Sequence, residues 1–144
     1  MKKFLYWALT IAPIAYMWLI WELSSIPGDP NAQDTFAAVF KDSLHFIEFG
    51  ILFWLFAFAL AVHGKWTAGT SIAVVAVCLA YGAIDEIHQM FTPFRTSTWY
   101  DLFKDAVGIT VSYIIMRVTY FASRKSRMHR FFQRLEMLDR RNGM

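Results

Sequence analysis

Long apolar runs alternate with short polar stretches along the 144 residues of the chain. Four of these runs have the roughly 17–25 residues that a membrane-spanning helix needs. They cover residues 4–23, 44–62, 68–87 and 106–122. The pattern predicts an all-α membrane protein: a four-transmembrane-helix bundle followed by a C-terminal amphipathic cytoplasmic helix.

The composition supports a membrane location. Hydrophobic residues make up 57% of the chain, and a mean hydropathy of +0.37 is too high for a soluble domain of this size. Lys2 and Lys3 precede the first run, as in a signal peptide, but this run is longer than a signal's apolar core and ends at Trp21 and Glu22. We therefore expect it to be retained. The single cysteine, Cys78, excludes a disulfide within the chain.

Basic residues predict the orientation, because loops rich in Lys and Arg stay in the cytoplasm. Eleven of the 14 lie at the N-terminus, in the turn between the second and third runs, or from Arg117 onward. The other connections hold only Lys41, Arg95 and Lys104. We therefore expect a multi-pass protein of the cytoplasmic (inner) membrane with both termini in the cytoplasm.

The link between the second and third runs, residues 63–66, is so short that the two helices should be antiparallel neighbours. This places two polar pairs at the same outer depth. His45 and Glu48 begin the second run, and Asp85 and His88 end the third. We expect His45 or Glu48 to lie within hydrogen-bonding or shared-ligand distance of Asp85 or His88.

Ionisable groups at such positions mark a functional site by default, because burying them in a membrane is costly. Residues three and four apart share a helix face, and the polar residues of the last three runs follow this spacing. The candidate catalytic residues are His45, Glu48, Asp85, Glu86 and His88, and the candidate substrate-binding residues are Lys41, Gln89, Arg95, Asp101 and Asp105. Gly108 and Ser112 extend a small, polar stripe on the fourth run that allows close helix approach.

Several chemistries fit this set. Two imidazoles and two carboxylates would suit zinc, iron or manganese, but the spacing is not diagnostic of a metal site. A metal-free pair, in which a carboxylate orients His88 or His45, is equally compatible. No serine occupies a nucleophile elbow, so covalent serine catalysis is not expected. Arg95 would either hold an anionic ligand or pair with Asp101 or Asp105.

The polar segments predict how the chain is divided. Residues 90–100 should form a loop that folds over the site. Residues 1–122 are expected to form one transmembrane domain, and residues 123–144 a basic amphipathic cytoplasmic tail. Apolar residues of the tail recur at helical spacing beside arginines, which is typical of a helix bound to anionic lipid.

Four motifs carry a resemblance to a known family. They are Lys41-x-x-x-His45-Phe46-x-Glu48-Phe49, Asp85-Glu86-Ile87-His88-Gln89, Pro93-x-Arg95 and Asp101 with Gly108 downstream. This set resembles the VanZ-like family of small membrane proteins, named for a protein linked to resistance to lipoglycopeptides such as teicoplanin. Two residues depart from the family pattern. Phe94 stands where glycine is usual and Asp105 where asparagine is common, so loop geometry and local charge should differ.

Two functions of different classes remain open. The first is a non-catalytic protein whose outer polar site binds or modulates a cell-envelope amphiphile, with a link to lipoglycopeptide resistance implied by the resemblance. The alternative is a membrane-embedded enzyme, acid–base or metal-dependent, that acts on a lipid-linked or envelope substrate. The expected partners are membrane lipids and a lipid-linked or lipoglycopeptide amphiphile, not nucleic acid.

Overall fold

A computed structural model describes residues 2–28, 35–95, 99–122 and 125–142, with side chains over 3–28, 46–95, 99–122 and 125–138. Helices make up most of the described residues, and no strand occurs among them, which confirms the all-α prediction. The helices are α1 (Lys2–Ser25), α2 (Thr35–Val62), α3 (Ala68–Gln89), α4 (Trp99–Met116) and α5 (Arg127–Asn142). A π-helical turn, Arg117–Phe121, continues α4.

Two of the helices are long and apolar enough to cross a membrane within the described part of the chain. They are α1, over Lys3–Ser25, and α3, over Ala68–Gln89. The apolar part of α2, Phe46–Val62, is shorter, and α4 carries Asp101, Lys104 and Asp105 in its first turns. Four spans therefore stay a prediction for α2 and α4.

The turn between α2 and α3 reverses the chain over residues 63–67. Gly64 takes a positive φ of 62°, and the Lys65 amide donates to the Leu60 carbonyl at 2.9 Å. The Thr67 side chain then accepts from the Thr70 amide and begins α3 as its N-cap. The predicted tight connection is confirmed, although α2 packs most extensively against α4 rather than α3.

The crossing of α2 and α4 depends on small residues. A Cβ added to Gly108 would lie 2.1 Å from the backbone oxygen of Phe46. Gly50 faces Gly108 and Ser112 across the same contact, and the Ser112 hydroxyl donates to the Gly50 carbonyl at 3.4 Å. The stripe of small residues on α4 therefore allows the two backbones to approach closely.

The C-terminal helix α5 packs on the bundle. Phe132 is fully buried, and its ring lies 5.6 Å from Phe58, 6.2 Å from Trp66 and 5.0 Å from Tyr120. The Tyr120 hydroxyl donates to Glu136 at 3.2 Å. The sequence predicted lipid for the apolar face of this segment, but its most buried side chain contacts protein because aromatic rings of α2 and the π-helical turn surround it.

Candidate functional site

A buried hydrogen-bond network joins the ends of α1 and α3. Asp85 and Gln89 are one helical turn apart on α3, and Ser24 lies on the last turn of α1. One oxygen of Asp85, Oδ2, accepts from the Ser24 hydroxyl at 2.8 Å and from Gln89 Nε2 at 2.7 Å. Asp85 is only 1% exposed. A carboxylate removed from water needs such donors, so this network stabilises the contact between the two helices.

The loop after α3 is tied to the same point on α1. The Ser24 carbonyl accepts from Thr92 Oγ1 at 3.3 Å and from Arg95 Nη1 at 3.1 Å. The Gly28 amide donates to the Pro93 carbonyl at 3.0 Å. A Cβ at Gly28 would lie 1.9 Å from the Phe94 carbonyl oxygen, so glycine is needed for this approach. The loop therefore packs against the end of α1.

Arg95 has a contact that the sequence did not predict. It donates to a backbone carbonyl, whereas the sequence suggested an anionic ligand or an ion pair with Asp101 or Asp105. Asp101 pairs with Lys104 at 2.9 Å. The role of Arg95 as an anchor for a ligand stays a prediction, and its guanidinium has further N–H donors for that role.

His88 lies beside α1 at the edge of the network. Its ring stacks on Trp21, with centroids 3.7 Å apart and planes 16° from parallel. Ser25 Oγ lies 3.5 Å from His88 Nε2, but this hydroxyl donates to the Trp21 carbonyl at 2.7 Å. A hydroxyl whose proton is committed to a carbonyl is not activated by the imidazole. Nucleophilic attack by Ser25 would require this hydroxyl to turn from the Trp21 carbonyl toward the imidazole.

Two further carboxylates are buried where α3 meets α4. Asp105 is 1% exposed and Glu86 is 7% exposed. The Asp105 Oδ2 atom lies 3.2 Å from the position that a Cβ on Gly82 would take, so Gly82 makes room for this carboxylate beside α3. Asp85, Glu86 and Asp105 thus bring three acids into the protein at one end of α3 and α4.

The α2 side of the predicted site is only partly described. The side chains of Lys41 and His45 lie outside the described residues, and Glu48 is half-buried. The predicted closeness of His45 or Glu48 to Asp85 or His88 stays a prediction. Asp85 Oδ1 is buried and has no hydrogen-bond partner among the described side chains, which leaves an acceptor for such a contact.

A metal site is not supported within the described part of the chain. There, no three His, Cys, Asp or Glu side chains are grouped so that they could hold an ion. The predicted set included His45, which this observation does not cover. We therefore derive no chemistry through a metal.

The contribution of α1 to this site was not predicted from the sequence. Trp21, Ser24 and Ser25 stack on, or bond to, residues of α3, and Thr92 joins them from the loop. A signal was present, since Trp21, Ser24 and Ser25 are three and four residues apart and share a helix face. The first apolar run was expected to end at residue 23, whereas α1 extends to Ser25.

Comparison with known proteins identifies the family. The family model described as VanZ/LLP1 matches residues 5–120. The chain belongs to the VanZ/LLP1 family. Neither the curated proteins nor the solved structures include a match. Membership of the VanZ/LLP1 family, together with the two long apolar helices, indicates a membrane protein.

The backbone of this VanZ/LLP1 protein at Phe94 has a conformation that suits glycine. Phe94 has a φ of 57°, in the left-handed region that glycine enters freely. A side chain there costs roughly 1–2 kcal/mol. Glycine, the residue expected from the resemblance, therefore suits this position, and the phenylalanine is held in an unfavourable conformation.

Proposed function

We propose that this VanZ/LLP1 protein is a non-catalytic binder of a cell-envelope amphiphile and modulates susceptibility to lipoglycopeptide antibiotics. One observation supports binding over catalysis. The Asp85 carboxylate is buried, and its Oδ2 atom is held by Ser24 and Gln89. A buried hydrogen-bond network of this kind fixes helix register and shapes a cleft, whereas an acid–base group must reach its substrate.

The half-buried groups around this network supply the binding chemistry. His88, Ser25 and Arg95 are each partly exposed, next to the buried Asp85. An imidazole and a guanidinium attract the phosphate or carboxylate of an amphiphile. The Trp21 ring, stacked on His88, limits how far the imidazole can turn, so its orientation is fixed before a ligand binds.

We place the site at the outer surface of the cytoplasmic membrane, in a protein of four spans with both termini inside. The distribution of Lys and Arg supports this topology, since eleven of the 14 lie on the opposite side from the site. An impermeant thiol reagent tests it. A cysteine placed at Glu22, which is exposed at the site end of α1, should react in intact cells, and one at Lys65 should not.

Drug susceptibility tests the binding role. Arg95→Gln and His88→Ala should each reduce any protection against a lipoglycopeptide in a sensitive host, at wild-type membrane levels. Arg117→Gln changes an exposed arginine on another part of the protein and serves as the matched control. Full protection by both site variants would contradict the proposal.

A membrane-embedded enzyme is the second candidate, favoured by the imidazole of His88 near the Ser25 hydroxyl. Metal analysis of the purified protein distinguishes a metal-dependent enzyme from a non-catalytic binder. Stoichiometric metal in the wild type that is lost in His88→Ala would favour a metal-dependent enzyme. A stable His88→Ala protein with the same low metal content as the wild type would favour the binder.

A further inference from the structure

The loop after α3 carries an exposed aromatic side chain on an unfavourable backbone. Phe94 is 71% exposed and has the left-handed φ of 57°. Packing of the Phe94 side chain does little to offset this conformation, because most of the ring lies outside the fold. Strained residues that persist in a well-anchored segment often have a role beyond folding.

The anchoring of this loop determines where Phe94 points. The Gly28 amide holds the Pro93 carbonyl on one side. On the other side, the Arg95 amide donates to the Thr92 carbonyl at 3.3 Å, and its guanidinium donates to the Ser24 carbonyl. The residues on either side of Phe94 are therefore fixed to the end of α1, and the ring is presented outward from a defined turn.

Phe94 continues an apolar surface that begins on α3. Ile84, Ile87 and Phe91 follow one another at spacings of three and four, so they form one stripe. They are 52%, 56% and 83% exposed. All the exposed residues from position 84 to position 94 are apolar; they are Ile84, Ile87, Met90, Phe91, Pro93 and Phe94. The surface thus passes from helix to loop without a charged residue.

We propose that the loop edge, formed by Met90, Phe91 and Phe94, inserts among the lipid acyl chains at the surface of the bilayer. The exposed stripe of α3 faces lipid, because α3 is one of the two helices able to span the membrane. The loop edge is continuous with that stripe. The side chains of Met90, Phe91 and Phe94 also have no polar group that must stay in water, so their transfer to acyl chains is favourable. The proposal does not rest on the ligand-binding function proposed above.

Insertion would give the strained turn its stabilising contact. The exposed Phe94 ring contributes no hydrophobic stabilisation while it lies in water. Its transfer to acyl chains would remove apolar surface from water, which is favourable. The same insertion would hold the Ser24–Asp85–Gln89 network just below the lipid headgroups. The end of α1 is bonded to this loop, so it would be fixed at the same depth.

Spin-label accessibility tests the proposal in the full-length protein. Phe94→Cys and Phe91→Cys are labelled in separate preparations and reconstituted in vesicles of phosphatidylcholine and phosphatidylglycerol. Lys65→Cys, at an exposed charged position in the α2–α3 turn, is the matched control. Cys78 is fully buried, so the wild type treated in parallel gives the background labelling.

A spin label in lipid collides often with oxygen, which concentrates in the acyl chains. A spin label in water collides often with a water-soluble nickel chelate. Labels at 94 and 91 should show a several-fold higher oxygen-to-nickel collision ratio than the label at 65. A ratio at 94 and 91 equal to that at 65 would place the loop in water and overturn the proposal. Protection of these labels from both reagents would indicate contact with a second protein copy and would also overturn it. The label at 91 retains Phe94 and so checks that the turn is intact.

Discussion

Replacing Asp85 with alanine should loosen the contact between α1 and α3. The substitution removes two hydrogen bonds, from Ser24 at 2.8 Å and from Gln89 at 2.7 Å. It also leaves the Ser24 hydroxyl and the Gln89 amide buried with fewer partners, since both residues are less than 5% exposed. The Gln89 amide can still donate to Ser24 Oγ, which lies 3.4 Å away, so part of the loss is recovered.

The structure sets the size of this effect. A hydrogen bond to a charged group contributes about 1.5–3 kcal/mol, and a buried group left unsatisfied costs about 1–3 kcal/mol. We therefore expect a loss of about 2–5 kcal/mol for Asp85→Ala. At about 2–4 °C per kcal/mol, the midpoint of thermal unfolding should fall by about 4–20 °C. Asp85→Asn should lose less, because its amide oxygen can accept both bonds.

The single cysteine makes the measurement direct. Cys78 lies on α3 and is fully buried in the folded protein. A fluorophore that reacts with thiols therefore reports the opening of this helix as detergent-solubilised protein is heated. Glu22→Ala is the matched control, because Glu22 is an exposed acid on the same end of α1. An exposed acid of this kind contributes little to stability.

One result would refute this reasoning. If Asp85→Ala unfolds at the same temperature as Glu22→Ala, the network does not hold α1 against α3, and the argument for a structural carboxylate fails. An Asp85→Asn protein as unstable as Asp85→Ala would show that the charge, rather than the two hydrogen bonds, carries the effect.

Three further predictions concern other parts of the protein. Gly108→Ala should destabilise the bundle by about 1–3 kcal/mol or more, because its Cβ would lie 2.1 Å from a backbone oxygen of α2. Gly69→Ala should not, because the nearest atom to its Cβ would be the Thr67 hydroxyl oxygen at 3.8 Å, an ordinary contact. Thermal unfolding compares the two variants. Phe132→Ala should lower the free energy of unfolding by about 3–5 kcal/mol, because the ring is fully buried between α5 and the bundle. An unchanged midpoint of thermal unfolding would mean that α5 does not stabilise the bundle. Glu48→Gln should impair drug protection or stability, because Glu48 is half-buried on α2. Glu22→Gln should have almost no effect. Equal effects of the two substitutions at matched membrane levels would show that α2 does not contribute to the site.

Local periodicity was enough to predict the helices and part of the site. Asp85 and Gln89 are four residues apart, so any α-helix through them brings their side chains together. The hydrogen bond between them follows from the sequence in this sense. The close approach at Gly108 was likewise predictable, because a small residue on an apolar helix allows contact whichever neighbour fills the space.

The turn at Phe94 shows where local reasoning ends. A resemblance to the VanZ-like family indicated glycine at this position, but not why. The tertiary structure supplies the reason: the carbonyl of Pro93 and the amide of Arg95 are both hydrogen-bonded, and the residue between them is left-handed. Phenylalanine has a poor intrinsic preference for that conformation, so the residue type at position 94 did not predict it.

What the sequence determined by itself is therefore the set of helices, the membrane character and the polar end of α3, because each depends on residues near one another in the chain. What only the tertiary structure decided is the partner of that polar end. Ser24 and Asp85 are 61 residues apart, and the packing of α5 on α2 joins segments about as distant. Such contacts depend on which helix faces come together in three dimensions. Several ways of pairing the helices would bury the same apolar residues. The buried polar groups favour the pairing in which they form hydrogen bonds with one another.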